Sequence, residues 1–319
     1  MQTAASLNLD GEQPGGQVGG ATEGPKLVVA PKPDAGAAAA STSSQLTDTP
    51  VRRIAAWLRS ALPKVLTTML SLGLFVAFWY FATKYKWDFY IRFTNIPSPG
   101  EVLDNAAQLM HSDKFYNNMY VSLRRIMIGF GVATVLGVAL GLLIGQYRVA
   151  KAMLFPVFET LRPIPAIAWV PMAIMLWPSN ETSIVFITFL GSFFPILLNT
   201  IHGVNSVDPV LLRAARCLGA TEFGLLRQVV LPAALPHIFT GLAIGMGVAW
   251  VSLIAAEMIS GQYGIGYFTW EAYSLIEYAD IVIGMIVIGV LGLLCSGGIR
   301  LLGTALMPWM AGSTQGGQK

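Results

Sequence analysis

The chain has 319 residues, of which 54% are hydrophobic and 12% are charged, and its formal net charge is +3 at pH 7. Soluble domains carry about 25% charged residues, so this composition indicates an integral membrane protein. The basic residues form no face with interleaved aromatics, which argues against nucleic-acid binding, and the spacing of Cys217 and Cys295 is typical neither of a disulfide framework nor of a metal site.

The first 50 residues differ in composition from the rest of the chain. Segments such as EQPGGQVGGATEGPK are rich in Gly, Pro and Ala and contain no aromatic residue, so they cannot bury enough apolar surface to fold. We predict a disordered tail over residues 1–50. The tail lacks the apolar core of a secretory signal, so we expect it to stay cytoplasmic and the first apolar segment to remain as an uncleaved span.

Six apolar stretches follow the tail. A bilayer core about 30 Å thick requires about 20 helical residues, so we predict an all-α integral membrane protein with six transmembrane helices. In the third span, Pro163, Pro165 and Pro171 predict a kink or an irregular stretch. After the first span, Ser98 and Pro99 predict the start of a short amphipathic helix outside the membrane. The predicted spans are residues 63–83, 119–144, 154–176, 182–203, 236–258 and 279–303.

These spans divide the chain into four predicted regions. A core with a hairpin at 207–235 follows the first span and the external helix, and a short cytoplasmic tail ends the chain. The regions are residues 1–50, 51–118, 119–305 and 306–319.

The distribution of Lys and Arg predicts the orientation. With the tail inside, most of the 20 basic residues fall in cytoplasmic segments, and the external turns at 177–181 and 259–278 contain none. Basic residues concentrate in cytoplasmic loops, so both termini are predicted to be cytoplasmic. Arg124 and Arg125 lie one to two turns inside the second span, and we expect both to reach the outer interface.

The connection between the fourth and fifth spans has the pattern of two short helices joined at Gly219. Glycine suits the left-handed position that ends a helix, and Thr221 is a suitable N-cap for the next one. We expect Pro232 to end that second helix and Pro236 to begin the fifth span. The segment is therefore predicted to form a rigid helical hairpin facing the cytosol.

This connection resembles the cytoplasmic signature of the permease subunits of ATP-binding-cassette importers. That signature runs EAA, three residues, Gly, nine residues, Ile, any residue, Leu-Pro. The chain matches its spacing, with Arg213 in place of the family's glutamate. The stretches RPIPAIAWVP and AAEMISGQYGIGYF resemble the branch that imports nitrate, sulfonates and taurine, and the resemblance covers roughly residues 63–303.

The resemblance implies a type I importer permease with a coupling hairpin that docks on a nucleotide-hydrolysing subunit. It further implies a homodimer or a paired permease, two ABC ATPase subunits, an external solute-binding protein and a multi-pass location in the inner membrane, among lipid. The implied cargo is a small anion or sulfonate. The residues implied to couple to the ATPase are Arg213, Ala214, Ala215, Gly219, Ala220, Thr221, Glu222, Val229, Leu231 and Pro232.

The sequence contains neither a phosphate-binding loop of the form GxxxxGK[ST] nor a His, Asp and Glu cluster typical of catalysis or metal binding. We therefore expect no enzymatic activity and no cofactor in this chain, with ATP and Mg²⁺ held by the partner ATPase.

A self-sufficient secondary transporter or channel is the alternative. That alternative predicts paired broken helices with ionisable groups near the midplane, whereas one broken span is found here. A scaffold without transport would leave the hairpin unexplained.

Two ionisable residues are candidates for the pathway or its gate. Glu257, near the outer end of the fifth span, is expected to hold a gate through hydrogen bonds to the glycine-rich turn that follows it. Direct substrate contact is less favoured, because a carboxylate repels an anion. Arg162, at the mouth of the broken span, either anchors the interface or attracts anions, and Glu159 is expected to pair with it.

Glycines in the last two spans are expected to allow close helix packing: Gly241, Gly245, Gly247, Gly284, Gly289 and Gly292.

Overall fold

The computed structural model describes residues 50–86 and 95–310. The predicted tail up to residue 49 and the C-terminal residues 311–319 lie outside the described residues. The helices within the described part are α1 (Pro50–Lys84), α2 (Pro99–Leu109), α3 (Asp113–Gln146), α4 (Arg148–Leu161), α5 (Val170–Leu176), α6 (Asn180–Asn205), α7 (Pro209–Cys217), α8 (Glu222–Ser260), α9 (Ile265–Ser274) and α10 (Tyr278–Leu306).

The prediction of an all-α membrane protein with six spans is confirmed. Among the described helices, five are long and apolar enough to cross a bilayer, namely α1, α3, α6, α8 and α10. A sixth span forms if α4 and α5 are taken together, although the chain bends by 87° between them. A 3₁₀ turn at Ala166–Trp169 occupies this break. Pro163 and Pro165 of RPIPAIAWVP account for the bend, because a helix that continued through them would lose backbone hydrogen bonds and crowd its preceding turn.

The predicted short helix after the first span is also present as α2. Ser98 and Glu101 form a reciprocal capping box at its start, which satisfies two of the free backbone N–H groups. The Asn105 amide donates to the Asp280 carboxylate at 3.1 Å, which ties α2 to the start of α10.

Glycines on one face of α3 allow α6 to approach closely. Cβ atoms built at Gly137, Gly141 and Gly145 would lie 2.9 Å or less from side-chain atoms of Ile196, Thr200 and Val204, respectively. Each pair is separated by the same number of residues in the sequence, so α3 and α6 run parallel in register. Side chains at these positions would push the two helices apart.

An adjacent face of α6, which shares Ile196, packs against α8 in the same way. A Cβ atom at Gly241 would lie 2.7 Å from Cβ of Asn199, and one at Gly245 would lie 3.0 Å from Cγ1 of Ile196. The packing role predicted for these two glycines is therefore confirmed. At Gly247 and Gly289 an added Cβ would meet no atom of the described residues within 4 Å, so their packing role stays a prediction.

The expectation that Pro232 ends a helix and that Pro236 begins the next one is wrong. Helix α8 runs without a break from Glu222 to Ser260. A π-helical turn at Leu226–Val230 precedes Pro232, and the Leu231 N–H donates to the Leu226 carbonyl five residues back. This wide turn shifts the carbonyl groups that a proline would otherwise meet in a regular α-helix, so the helix continues through it.

Gly141→Ala is expected to destabilise the protein by about 1–3 kcal/mol, because the added methyl group overpacks the contact with Thr200. Gly131→Ala is the matched control on the same helix, since a Cβ atom there meets nothing within 4 Å. It should be neutral or stabilising by up to about 1 kcal/mol. Thermal unfolding of the purified variants in detergent measures both. Equal unfolding midpoints would contradict the packing described for α3 and α6.

Candidate functional site

The hairpin, defined here as α7 and the first turns of α8, closes through a Schellman motif. The Ala220 N–H donates to the Ala215 carbonyl and the Gly219 N–H donates to the Arg216 carbonyl, both at 3.0 Å. Gly219 has φ +83°, the left-handed conformation that the sequence predicted. An added Cβ at Gly219 would meet nothing within 4 Å, so only its backbone conformation restricts this position.

The second arm of the hairpin begins where the sequence predicted. The Thr221 hydroxyl accepts a hydrogen bond from the Gly224 N–H at 3.1 Å, which caps α8. Arg216 and Glu222 approach to 3.6 Å and link the two arms. The apolar face of the hairpin packs into a cluster that includes Val204, Leu225 and Val230.

The predicted coupling residues divide by exposure. Arg213, Ala214, Gly219, Thr221 and Glu222 are exposed on the hairpin. Two large apolar residues that the sequence analysis did not select are exposed beside them, Leu218 at 88% and Phe223 at 71%. The partly buried members of the predicted set are Ala215, Ala220, Val229, Leu231 and Pro232.

A cavity of about 510 Å³ lies between α6, α8 and the break of the third span. Its walls are mainly apolar, with polar side chains from Asn199 and Ser252. Among the described residues that line it, Arg162 is the only charged one. The predicted pairing of Arg162 with Glu159 is present at 3.6 Å, and both side chains are about half exposed.

Glu257 lies at the end of the bundle opposite the hairpin, where it is fully buried near the end of α8. Its carboxylate accepts a hydrogen bond from the Ser122 hydroxyl at 2.8 Å and one from the Gly266 N–H at 3.0 Å. The bond to the glycine-rich turn is therefore present as predicted. Gly264 in that turn has φ +118°, and an added Cβ would overlap the Glu257 carboxylate.

The expected position of Arg125 at the membrane interface is wrong. Only 3% of its side chain is exposed, and its Nη1 donates to Glu257 at 2.9 Å and to the Tyr263 carbonyl at 2.6 Å. Its Nε and Nη2 donate to both carboxylate oxygens of Glu181 at the start of α6. We name Arg125, Glu181 and Glu257 the charge clamp. The neighbouring Arg124 is half exposed and contacts Glu181 at 3.3 Å.

The buried charge of Arg125 explains why the interface prediction failed. An arginine inside a span costs less when it neutralises carboxylates than when it stands alone, and Glu257 and Glu181 supply two of them. A search of the apolar spans for acidic residues that could match Arg125 would have found this partnership. Asn118 completes the surroundings by accepting the Gly264 N–H at 3.0 Å, although its own amide nitrogen has no hydrogen-bond partner within the described part of the chain.

Comparisons with known proteins agree with this architecture. Residues 133–312 match the family described as "Binding-protein-dependent transport system inner membrane component". The chain is 33% identical over 255 residues to the nitrate import permease protein NrtB of Synechocystis sp., covering 77% of this chain and 90% of that relative. It is 43% identical over 174 residues to the bicarbonate transport system permease protein CmpB of Synechococcus elongatus, covering 54% and 63%, respectively.

Solved structures share the fold at low sequence identity. A bacterial alginate ABC transporter, in complex with an alginate pentasaccharide-bound periplasmic protein, aligns with a TM-score of 0.53 at 15% identity and covers 81% of this chain and 96% of its own. An amino acid ABC transporter aligns with a TM-score of 0.53 at 18% identity and covers 63% of this chain and 97% of its own.

The described spans, five or six with the bent pair counted as one, make the chain a multi-pass membrane protein. The chain belongs to the family of binding-protein-dependent transport system inner membrane components. It is thus a permease that forms the membrane path, not an enzyme, and ATP hydrolysis belongs to a separate subunit.

Gly264→Ala is expected to destabilise the protein by about 2 kcal/mol or more, because the new methyl group both strains the backbone and displaces the Glu257 carboxylate. Gly247→Ala on α8 is the control, since its methyl group meets no neighbour within 4 Å. The measurement is the thermal unfolding midpoint in detergent. If the two variants unfold together, the turn does not depend on this close approach.

Proposed function

We propose that this chain forms the translocation path for a small oxyanion in an ATP-driven importer. Two permease copies, or this chain with a paired permease, would assemble with two ATPase subunits that bind ATP and Mg²⁺ and with an external solute-binding protein. The observation that carries the proposal is the cavity at the break of the third span, because its only charged lining residue among those described is the cation Arg162.

The positive charge of Arg162 indicates that the cargo is negatively charged. A cavity whose field is positive concentrates anions, whereas a carboxylate in the same place would repel them. Two relatives are named for nitrate and for bicarbonate, and both of these ions are small and carry a single negative charge. A volume of about 510 Å³ also admits a larger sulfonate such as taurine. In this proposal Arg162 attracts the anion, in preference to serving only as an interface anchor.

The hairpin is proposed to be the surface that receives the ATPase. It exposes Leu218 and Phe223 next to charged Arg213 and Glu222, a combination of apolar anchors and charges that suits protein docking. If the hairpin is cytosolic and the bent pair counts as one span, we expect both termini to lie in the cytosol as well, because an even number of spans lies on each side of the hairpin. Arg213 replaces the glutamate of the family signature, so we expect it to contact an acidic or carbonyl-rich site on the ATPase.

Glu257 is proposed to act at the gate and not as a substrate ligand. Its carboxylate is fully buried and is occupied by Ser122, Arg125 and the Gly266 N–H, so it has little capacity left for a cargo. Its role is to fix the turn after α8 at the external end of the path.

Gly219→Val is expected to abolish ATP-dependent uptake and to reduce co-purification of the permease with its ATPase. A β-branched residue at φ +83° costs roughly 1–2 kcal/mol and tilts the second arm of the hairpin. Membrane insertion should persist, because no apolar span is changed. The measurements are ATPase yield after affinity purification and uptake in proteoliposomes.

Gly219→Asn is the matched control, because asparagine tolerates the left-handed conformation and should retain most of the assembly. Arg213→Glu tests the charge separately and should weaken assembly until a basic residue is introduced on the ATPase. Normal yield and uptake in both Gly219→Val and Arg213→Glu would show that the hairpin is not the docking element.

Arg162→Gln is expected to raise the KM for anion uptake roughly tenfold, the size of one charge-assisted hydrogen bond. Glu159→Gln should lower the KM, because it releases Arg162 from its pair. Arg148→Gln is the control, since Arg148 is exposed and does not line the cavity. Uptake of labelled nitrate measures all three. A KM in Arg162→Gln equal to that of the Arg148→Gln control would remove the cavity from the anion path.

A further inference from the structure

The charge clamp joins three spans at the end of the bundle opposite the hairpin. Arg125 comes from α3, Glu181 from the first turn of α6 and Glu257 from the last turns of α8. One guanidinium group therefore connects the body of α3 to the first turn of α6 and to the last turn of α8. The Tyr263 carbonyl, which also accepts from Arg125, adds the turn before α9 to the same group.

The two ion pairs of Arg125 differ in how easily they can separate. Glu257 is fully buried and accepts further hydrogen bonds from Ser122 and Gly266, so breaking that pair would leave a charge in a dry environment. Glu181 is 44% exposed, so water can replace Arg125 as its hydrogen-bond partner. Separation on the Glu181 side therefore costs less than separation on the Glu257 side.

The packing of α6 supports the same asymmetry. Its glycine-mediated contacts with α3 begin at Gly129, which approaches Thr188, and continue toward the hairpin end. The turn that carries Glu181 precedes these contacts. That turn is held by Arg125, by Arg124 and by the hydrogen bond from the Ser183 hydroxyl to the Ala173 carbonyl. It therefore lies outside the glycine contacts that hold α6 against α3.

We propose that Arg125 is a positioning residue of the transport cycle, which holds the external end of the path closed through Glu181 and remains bound to Glu257 when that end opens. In the open state Arg125 and Glu257 stay together on α3 and α8, while the first turn of α6 leaves with a hydrated Glu181. This inference rests on the proposed function for its place in the cycle. The clamp geometry itself does not depend on the identity of the cargo.

The test measures exposure of a residue directly behind the clamp. Ile184 is fully buried one turn after Glu181, in the cluster that also contains Ile126 of α3. In a chain carrying Cys217→Ser and Cys295→Ser, Ile184→Cys serves as the reporter in the assembled transporter. A membrane-impermeant maleimide is applied separately to intact cells and to inverted vesicles, so that the labelled side is identified.

Glu181→Gln should raise the labelling rate from the external side about three- to tenfold, because it removes the charge that Arg125 holds and keeps the shape of the side chain. Glu271→Gln is the matched control. It makes the same chemical change in an ion pair at the same end, where Glu271 meets Lys114 at 3.0 Å outside the clamp. Its labelling rate should stay within about twofold of the parent.

Arg125→Lys separates positioning from simple charge. Lysine keeps the charge but cannot bridge two carboxylates with a planar group, so its labelling rate should rise as in Glu181→Gln. Equal labelling in Glu181→Gln and Glu271→Gln would overturn the inference, as would a labelling rate in Arg125→Lys equal to that of the parent.

Nitrate uptake by the parent is measured in parallel. Absence of uptake of nitrate, bicarbonate or taurine would refute the proposed function, while the labelling comparison would still decide the clamp.

Discussion

The close approach of α6 to both α3 and α8 is the contact on which the rest of the structure depends. Lipid offers no hydrophobic drive for helices to associate, so their attraction must come from dense packing and from polar contacts. Glycines on α3 and α8 provide the packing, with side chains of α6 filling the space they leave. Both the cavity beside Arg162 and the clamp on Glu181 are built on α6, so each depends on where this helix lies.

The clamp meets a different constraint, the cost of an ionised group within apolar surroundings. Arg125 supplies nearly all its donors to carboxylates or a carbonyl, and Glu257 accepts from hydroxyl, guanidinium and amide groups. Removing one partner of such a buried pair typically costs about 3–5 kcal/mol, because the other charge is left behind. The same contacts that stabilise the bundle therefore also limit which parts of it can separate.

Much of this organisation was predictable from the sequence, and each of the two failures has its own physical cause. Span number, the break at RPIPAIAWVP, the left-handed Gly219 and the cap at Thr221 follow from local rules about proline, glycine and hydrogen bonding. The position of Arg125 was predicted wrongly because its partners lie 56 and 132 residues away in the sequence, beyond any local pattern. Pro232 was misjudged because a π-helical turn, which composition does not reveal, accommodates it.

The continuity of α8 through Pro232 has a mechanical consequence. Because α8 is continuous, the hairpin at Glu222 and the clamp at Glu257 lie on one helix, about 50 Å apart along its axis. Two separate helices joined at Pro232 would absorb a displacement of the hairpin at their junction, whereas a single helix can carry it to its far end. The π-helical turn at Leu226–Val230 then marks the point where the second arm of the hairpin changes its rotation relative to the rest of α8. A push on the hairpin would thus reach Glu257 as a shift or rotation of α8, and we propose that the more exposed contact there, between Arg125 and Glu181, is the one that responds.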